Sequence, residues 1–294
     1  MERSGQTIRH HLNALSNLYK RAQSEGVVPA GYNPVAALID KPTATRQEAH
    51  WLEVHDAALF LEAARTYTPK RGDIALPFLH ELDAVFLLTG GRESEVYGLE
   101  VEDVSFDRGT VSFRPNTWRR LKTATSRRIV PLWPQLEEIL RPYVFGSSSP
   151  PGRLLFSATR TEKEQPVTDL RKALDAVANR VGWKAGEVRT KAFRHTYCAT
   201  RLQTLDRGHP VSEFTVAREM GHGGTELVRR VYGHLGQIRH RSDVVEYRAE
   251  QHQGKLGERL SALRAAEQGS GSVKTSDKSD ARPRMQASET PHKV

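Results

Sequence analysis

A single cysteine, Cys198, among 294 residues excludes an intramolecular disulfide and a zinc site built on cysteines. No apolar run approaches the roughly 20 residues that span a bilayer. Residues 1–25 are polar and helix-patterned and carry no apolar signal core. No internal repeat occurs at solenoid or propeller periods. Acidic residues are outnumbered, 35 against 44 Lys and Arg, which leaves a net charge of +9. Excess cations attract polyanions, nucleic acid foremost. The same excess accompanies ordinary solubility, so composition alone favours nucleic acid only modestly. A reducing, cytoplasmic setting fits the cysteine count.

The length and the 37% of hydrophobic residues suit one or two domains with a real core. Ile8, Leu12, Leu15, Tyr19 and Ala22 recur at steps of four and three, which predicts an amphipathic helix ending near Gly26. Asn33-Pro34-Val35 suits the start of a short helix. Residues 41–50 read as a linker, and a main domain opens near Trp51. Helices are expected over 53–67 and 74–89, with a short one after Gly90-Gly91. Strand signals follow at Thr110–Phe113 and Arg128–Pro131. Further helices are expected over 134–143, 167–181, 190–205, 212–220, 225–231 and 243–266. Residues 268–294 are Ser-, Lys- and Asp-rich and lack the apolar groups that offset ordering entropy. The expected fold class is mainly α with a small antiparallel β-sheet.

Four segments carry phosphate-type chemistry. Thr89-Gly90-Gly91-Arg92 leads into a helix, where anions gather, and Glu95 lies three residues on, on the same face. Lys122 lies in a cationic turn before Arg128-Ile129-Val130-Pro131-Leu132. Lys191 and Arg194 project from one helical turn, followed by His195. His222 sits between Gly221 and Gly223-Gly224, and Tyr232 and His234 follow at the end of the next helix. Taken singly, each has an ordinary reading: a surface Arg–Glu pair, a solvated basic loop, an amphipathic helix, a structural histidine or a half-buried tyrosine.

As an ordered set they resemble the active-site boxes of the tyrosine recombinases of the phage integrase family, over about Trp51 to Leu235. Thr89-Gly90-Gly91-Arg92 with Glu95 resembles the family's Thr-Gly-x-Arg box. Lys122 with the trailing Arg128-x-Val130-Pro131-Leu132 resembles its hairpin Lys box. The segment from Lys191 to Arg194 resembles its His-x-x-Arg box, with Arg194-His195-Thr196 like the usual continuation, and Gly221-His222 with Tyr232-x-His234 resembles its Gly-His box and nucleophile. The resemblance implies a site-specific recombinase acting on double-stranded DNA, with Arg92, Lys122, Lys191, Arg194, His222 and Tyr232 catalytic, and Glu95, His195 and His234 supporting. Tyr232 would form a 3′-phosphotyrosyl link, Arg92, Arg194 and His222 would grip the phosphate, and Lys122 would protonate the leaving oxygen. It implies no cofactor, no metal and no membrane, a nucleoid-associated setting, a mobile element as context, and a homotetramer on paired sites.

One departure stands out: Lys191 occupies the position where the family usually has histidine. The reference pKa there rises from about 6.5 to about 10.4, which weakens a general-base role. Two other readings compete: a type IB topoisomerase, and a catalytically degenerate DNA-binding relic. The domain layout expected is a remnant of a helical DNA clamp over 1–40, the linker to residue 50, a catalytic domain over 51–240, a C-terminal helix over 241–267 that passes to a neighbouring subunit or docks on its own domain, and a tail from 268.

Overall fold

The computed structural model describes residues 4–43, 49–69, 76–146, 151–158, 163–206, 208–232 and 249–269. It divides into two compact units, Met1–Glu48 and Ala49–Val294. In the first, helix α1 covers Gly5–Ser24, and Ser4 caps it by accepting from the Thr7 N–H. None of its residues is buried, so the apolar stripe is only half covered. Asn33-Pro34-Val35 does not open a helix. The Asn33 side-chain oxygen accepts from the N–H groups of Val35 and Ala36 at 3.1 and 3.3 Å, and this local bonding favours a turn over a helix.

The second unit opens with α2 (Val54–Arg65) and α3 (Leu79–Thr89). Helix α3 is buried nearly all round, His80 and Asp83 included, with Leu82, Val85 and Phe86 fully enclosed. Helix α7 (Thr190–Leu202) packs against α3 and brings Phe193 to 5.4 Å from the Phe60 ring of α2. This three-helix contact forms the core on which the site is built.

A short helix α4 (Glu93–Tyr97) leads to a three-stranded antiparallel sheet in the order β1-β2-β3, made of Val104–Ser105, Thr110–Phe113 and Arg128–Pro131. The register sets Val111 opposite Val130 and Phe113 opposite Arg128. Strand β3 alternates, so Arg128 and Val130 face inward and Ile129 faces solvent. Strands β2 and β3 fall where their patterns predict. Strand β1 and the β4–β5 hairpin (Leu205–Asp206 and His209–Pro210) do not, because two-residue strands are too short to show an alternation.

Helix α5 (Pro134–Arg141) starts on its proline. Helix α6 (Arg171–Arg180) starts four residues later than expected. Asp169 accepts from the Arg171 N–H, and its own segment stays non-helical. Helix α8 (Glu213–Glu219) is capped by Ser212, and helix α9 covers residues 226–232. Helix α10 (Ala249–Gly269) lies on α2 and α5 of its own domain, with Leu256 and Leu260 buried and Arg264 bonded to Glu62 at 3.1 Å. Residues 270–294, most of the expected tail, and His234 lie outside the described residues.

Candidate active site

Arg92 is the N-cap residue of α4, set by the Gly90-Gly91 turn. Gly90 caps α3 in the left-handed region at φ 61°, and a β-carbon there would stand 2.7 Å from the Tyr197 ring, so only glycine fits. Glu95 then folds back on Arg92. It accepts from the Arg92 backbone N–H at 2.8 Å and from the guanidinium at 2.7 Å. The Arg92 fork also reaches Ser126 Oγ and the Gly221 carbonyl at 3.3 and 3.2 Å. The pair is therefore an enclosed one: the Glu95 side chain is 2% exposed.

Arg128 completes this framework; motif reading places it in the hairpin Lys box but gives it no role. Its guanidinium bonds Glu95 at 2.9 Å, the Glu219 carbonyl at 2.6 Å and the Ser126 carbonyl at 2.9 Å. It also stacks over the Phe113 ring at 4.2 Å. Burial alone pushes the Glu95 carboxyl up. The Arg128 hydrogen bond and charge, with the Arg92 contacts, outweigh that and hold it at about 2. One carboxylate thus orients two arginines from separate boxes. The signal for Arg128 was present in β3, where a cation occupies an inward position of the alternation.

Arg194 projects from α7 into the same region. It donates to the Gly90 and Met220 carbonyls and lies 3.1 Å from His222 Nε2. Among the described residues it pairs with no carboxylate. Burial, with Arg92 and Arg128 nearby, pushes Arg194 down to about 9. His222 is pushed down to about 4 by burial and by Arg194, Arg92 and Arg128. The arginine has no acceptor atom, so His222 Nε2 accepts from it and Nδ1 carries the ring proton. That Nδ1 is buried without a partner among the described residues. His222 owes its place to Gly221, which is left-handed at φ 65° and packs against the Arg128 guanidinium. Arg201 and Tyr197 on α7 both hold Glu219 at the end of α8, which fixes the turn from below.

Tyr232 is 3% exposed, beyond the half-buried state its sequence suggests. Its hydroxyl bonds His195 Nδ1, and its ring lies 6.4 Å from Trp51. Burial raises its pKa above the ordinary phenol range, and Cys198 adds to this while Arg194 opposes it. The neighbouring cations therefore do not ionise the hydroxyl in this state. Lys122 lies on the β2–β3 connection, exposed and without a hydrogen bond among the described residues. Lys191 is also exposed, on the first turn of α7. The fold thus gathers Arg92, Glu95, Arg194 and His222 in one cluster. Tyr232 and His195 form a pair beside Arg194, and the two lysines stand at the surface.

The mainly helical domain with a small antiparallel sheet has the fold of a tyrosine recombinase catalytic domain. Residues 51–237 match the family model described as Phage integrase family. The chain belongs to the phage integrase family. Among solved structures it is similar to the Tn1549 transposon integrase bound to a circular intermediate DNA, at TM-score 0.59 and 18% identity over 78% of this chain and 76% of that one. It is also similar to the same integrase bound to transposon right end DNA, at TM-score 0.57 and 17% identity over 78% and 75%. No curated protein matches the chain. Among the described residues no helix is long and apolar enough to cross a membrane.

Proposed function

We propose that this recombinase cuts and rejoins double-stranded DNA through a 3′-phosphotyrosyl intermediate on Tyr232. The observation that carries the reading is Arg194: a guanidinium enclosed beside Arg92, Arg128 and His222 and, among the described residues, with no carboxylate of its own. Three guanidinium groups share Glu95 as their near carboxylate, so the cluster holds uncompensated positive charge. An anion relieves that charge, and a phosphodiester passing through a pentacoordinate state carries more negative charge than one at rest. Fixed donors stabilise the developing charge most when they need not reorganise. Arg92 and Arg194 would hold the non-bridging oxygens by their planar forks. His222 would add a further hydrogen bond.

Tyr232 is the nucleophile in this reading, and Lys122 supplies the proton to the leaving 5′ oxygen. An exposed lysine on a connecting segment can close over DNA, which a lysine fixed in the core could not. The covalent link conserves the bond energy, so rejoining needs no nucleotide cofactor. The assembly proposed is a homotetramer on paired sites of a mobile element. The face of α10 carrying Leu256 and Leu260, docked on its own domain in the single chain, would move onto a neighbour. The test is single-turnover cleavage by Arg194→Ala. Loss of one transition-state donor should slow cleavage about 10²–10³-fold while DNA binding falls far less. Unchanged cleavage would remove Arg194 from the chemistry.

A further inference from the structure

Attack by Tyr232 requires a group that takes the hydroxyl proton, and Lys191 is poorly suited to it. Its side chain is exposed on the first turn of α7, and an ammonium carries three donors and no acceptor. One helical turn on, His195 lies on the same side of α7. Its Nδ1 is bonded to the Tyr232 hydroxyl, with the two ring centres 5.8 Å apart. Cys198 also lies within hydrogen-bonding reach of that hydroxyl. Burial pushes its thiol up to about 12, so it stays protonated. Arg194 is a donor only. Trp51 covers the tyrosine ring, and Leu52 beside it is fixed by its N–H to the Thr196 hydroxyl at 2.8 Å.

Resting on the reading of Tyr232 as nucleophile, we propose that His195 is a catalytic residue whose Nδ1 takes the Tyr232 proton during cleavage and returns it during rejoining. In cleavage the Tyr232 O–H bond breaks as its oxygen bonds phosphorus, and the proton passes to His195. The bond from phosphorus to the 5′ oxygen breaks, and that oxygen takes a proton from Lys122. In rejoining the 5′ hydroxyl attacks phosphorus and gives its proton to Lys122. The phenolate leaves and recovers its own from His195. The cycle consumes no proton.

The groups facing His195 are Tyr232, Lys191, Arg194 and His50. Burial and the cationic neighbours push the imidazole down to about 4, so it is neutral and able to accept at working pH. The same cations oppose an imidazolium. A phosphate seated at Arg194 adds negative charge beside them and lowers that opposition.

The test uses the whole chain in single-turnover cleavage of a nicked suicide duplex, with either oxygen or sulfur bridging the scissile 5′ position. Sulfur leaves without protonation, so it rescues defects in the leaving-group acid alone. His195→Gln keeps the volume and a hydrogen bond but is not a base. It should slow cleavage about 10²–10⁴-fold on both duplexes. Melting temperature and DNA affinity should stay near those of the unaltered chain. His195→Ala should regain cleavage on addition of imidazole. Should the alanine variant fail to fold, the glutamine variant decides alone. Cleavage by His195→Gln within roughly the experimental spread of the unaltered chain would overturn the proposal, as would rescue of it by sulfur. An adduct formed by Tyr232→Phe would instead overturn the reading of Tyr232 as nucleophile, whatever His195 does.

Discussion

Glu95 and Arg128 form an ion pair at 2.9 Å whose side chains are 2% and 3% exposed, and through it the first and second boxes of the site are one structure. Removing one partner of such a pair leaves the other charge buried, which costs about 3–5 kcal/mol. Glu95→Gln should therefore lower unfolding free energy by about that amount at neutral pH. The carboxyl is held at about 2 in the folded state, against about 4.3 unfolded. Its contribution is present above the unfolded value and is lost as pH falls through the folded one. The difference between the two proteins should narrow steadily on acidification in denaturant melts. A gap independent of pH would mean that the pair is not ionised. Arg128→Met should produce a similar loss, and the double variant should cost less than the sum.

Asp83 offers a second pH test, with the opposite sign. It is fully buried on α3, and neither carboxyl oxygen has a hydrogen-bond partner among the described residues. Burial, with Glu81 nearby, raises its pKa well above the ordinary value. A raised carboxyl contributes fully below its unfolded pKa of about 3.9, and that contribution is lost as pH rises towards the folded value. Asp83→Leu should stabilise the domain by about 1–3 kcal/mol, most at alkaline pH. Asp83→Asn should flatten the pH dependence without the full gain. Thermal melts across pH check both, and a destabilised leucine variant would show that the carboxyl has a partner in solution.

Much of the site was legible because its residues cluster in sequence. Thr89 to Glu95 is a local motif whose glycines, N-cap and carboxylate belong to one turn, so pattern and fold coincide. Strands β2 and β3 were legible for the same reason, since each is long enough to alternate. What escaped is non-local. Nothing in the sequence marks Arg128 as the partner of Glu95, since a cation in a strand is as often solvated. Trp51 and Tyr232 lie far apart in the chain, and their contact depends on how α7 and α9 pack. Tyr232 lies deeper than the half-buried tyrosine of its ordinary reading, and burial outweighs the pull of Arg194 towards the phenolate. Lys191 was grouped with Arg194 by spacing, yet the two diverge, because only Arg194 finds carbonyl partners inside.

Lys122 carries a prediction about the leaving group. It stands exposed on the connection between β2 and β3. Lys122→Ala should slow cleavage of an ordinary duplex about 10²–10⁴-fold, the usual contribution of a general acid. With sulfur bridging the scissile position, the same variant should cleave close to the rate of the unaltered chain. A defect equal on both duplexes would assign the lysine to phosphate binding.

The account rests most directly on covalent attachment. The measurement is incubation of the full chain with a nicked suicide duplex carrying its site, followed by a denaturing gel and peptide mapping of the trapped adduct. The account predicts a protein–DNA adduct whose 3′ phosphate is joined to the Tyr232 peptide. It also predicts that Tyr232→Phe retains DNA binding, because the ring keeps its place among Trp51, His195 and Cys198 while the attacking oxygen is gone. An adduct mapped to another residue, or one formed equally by Tyr232→Phe, would contradict it.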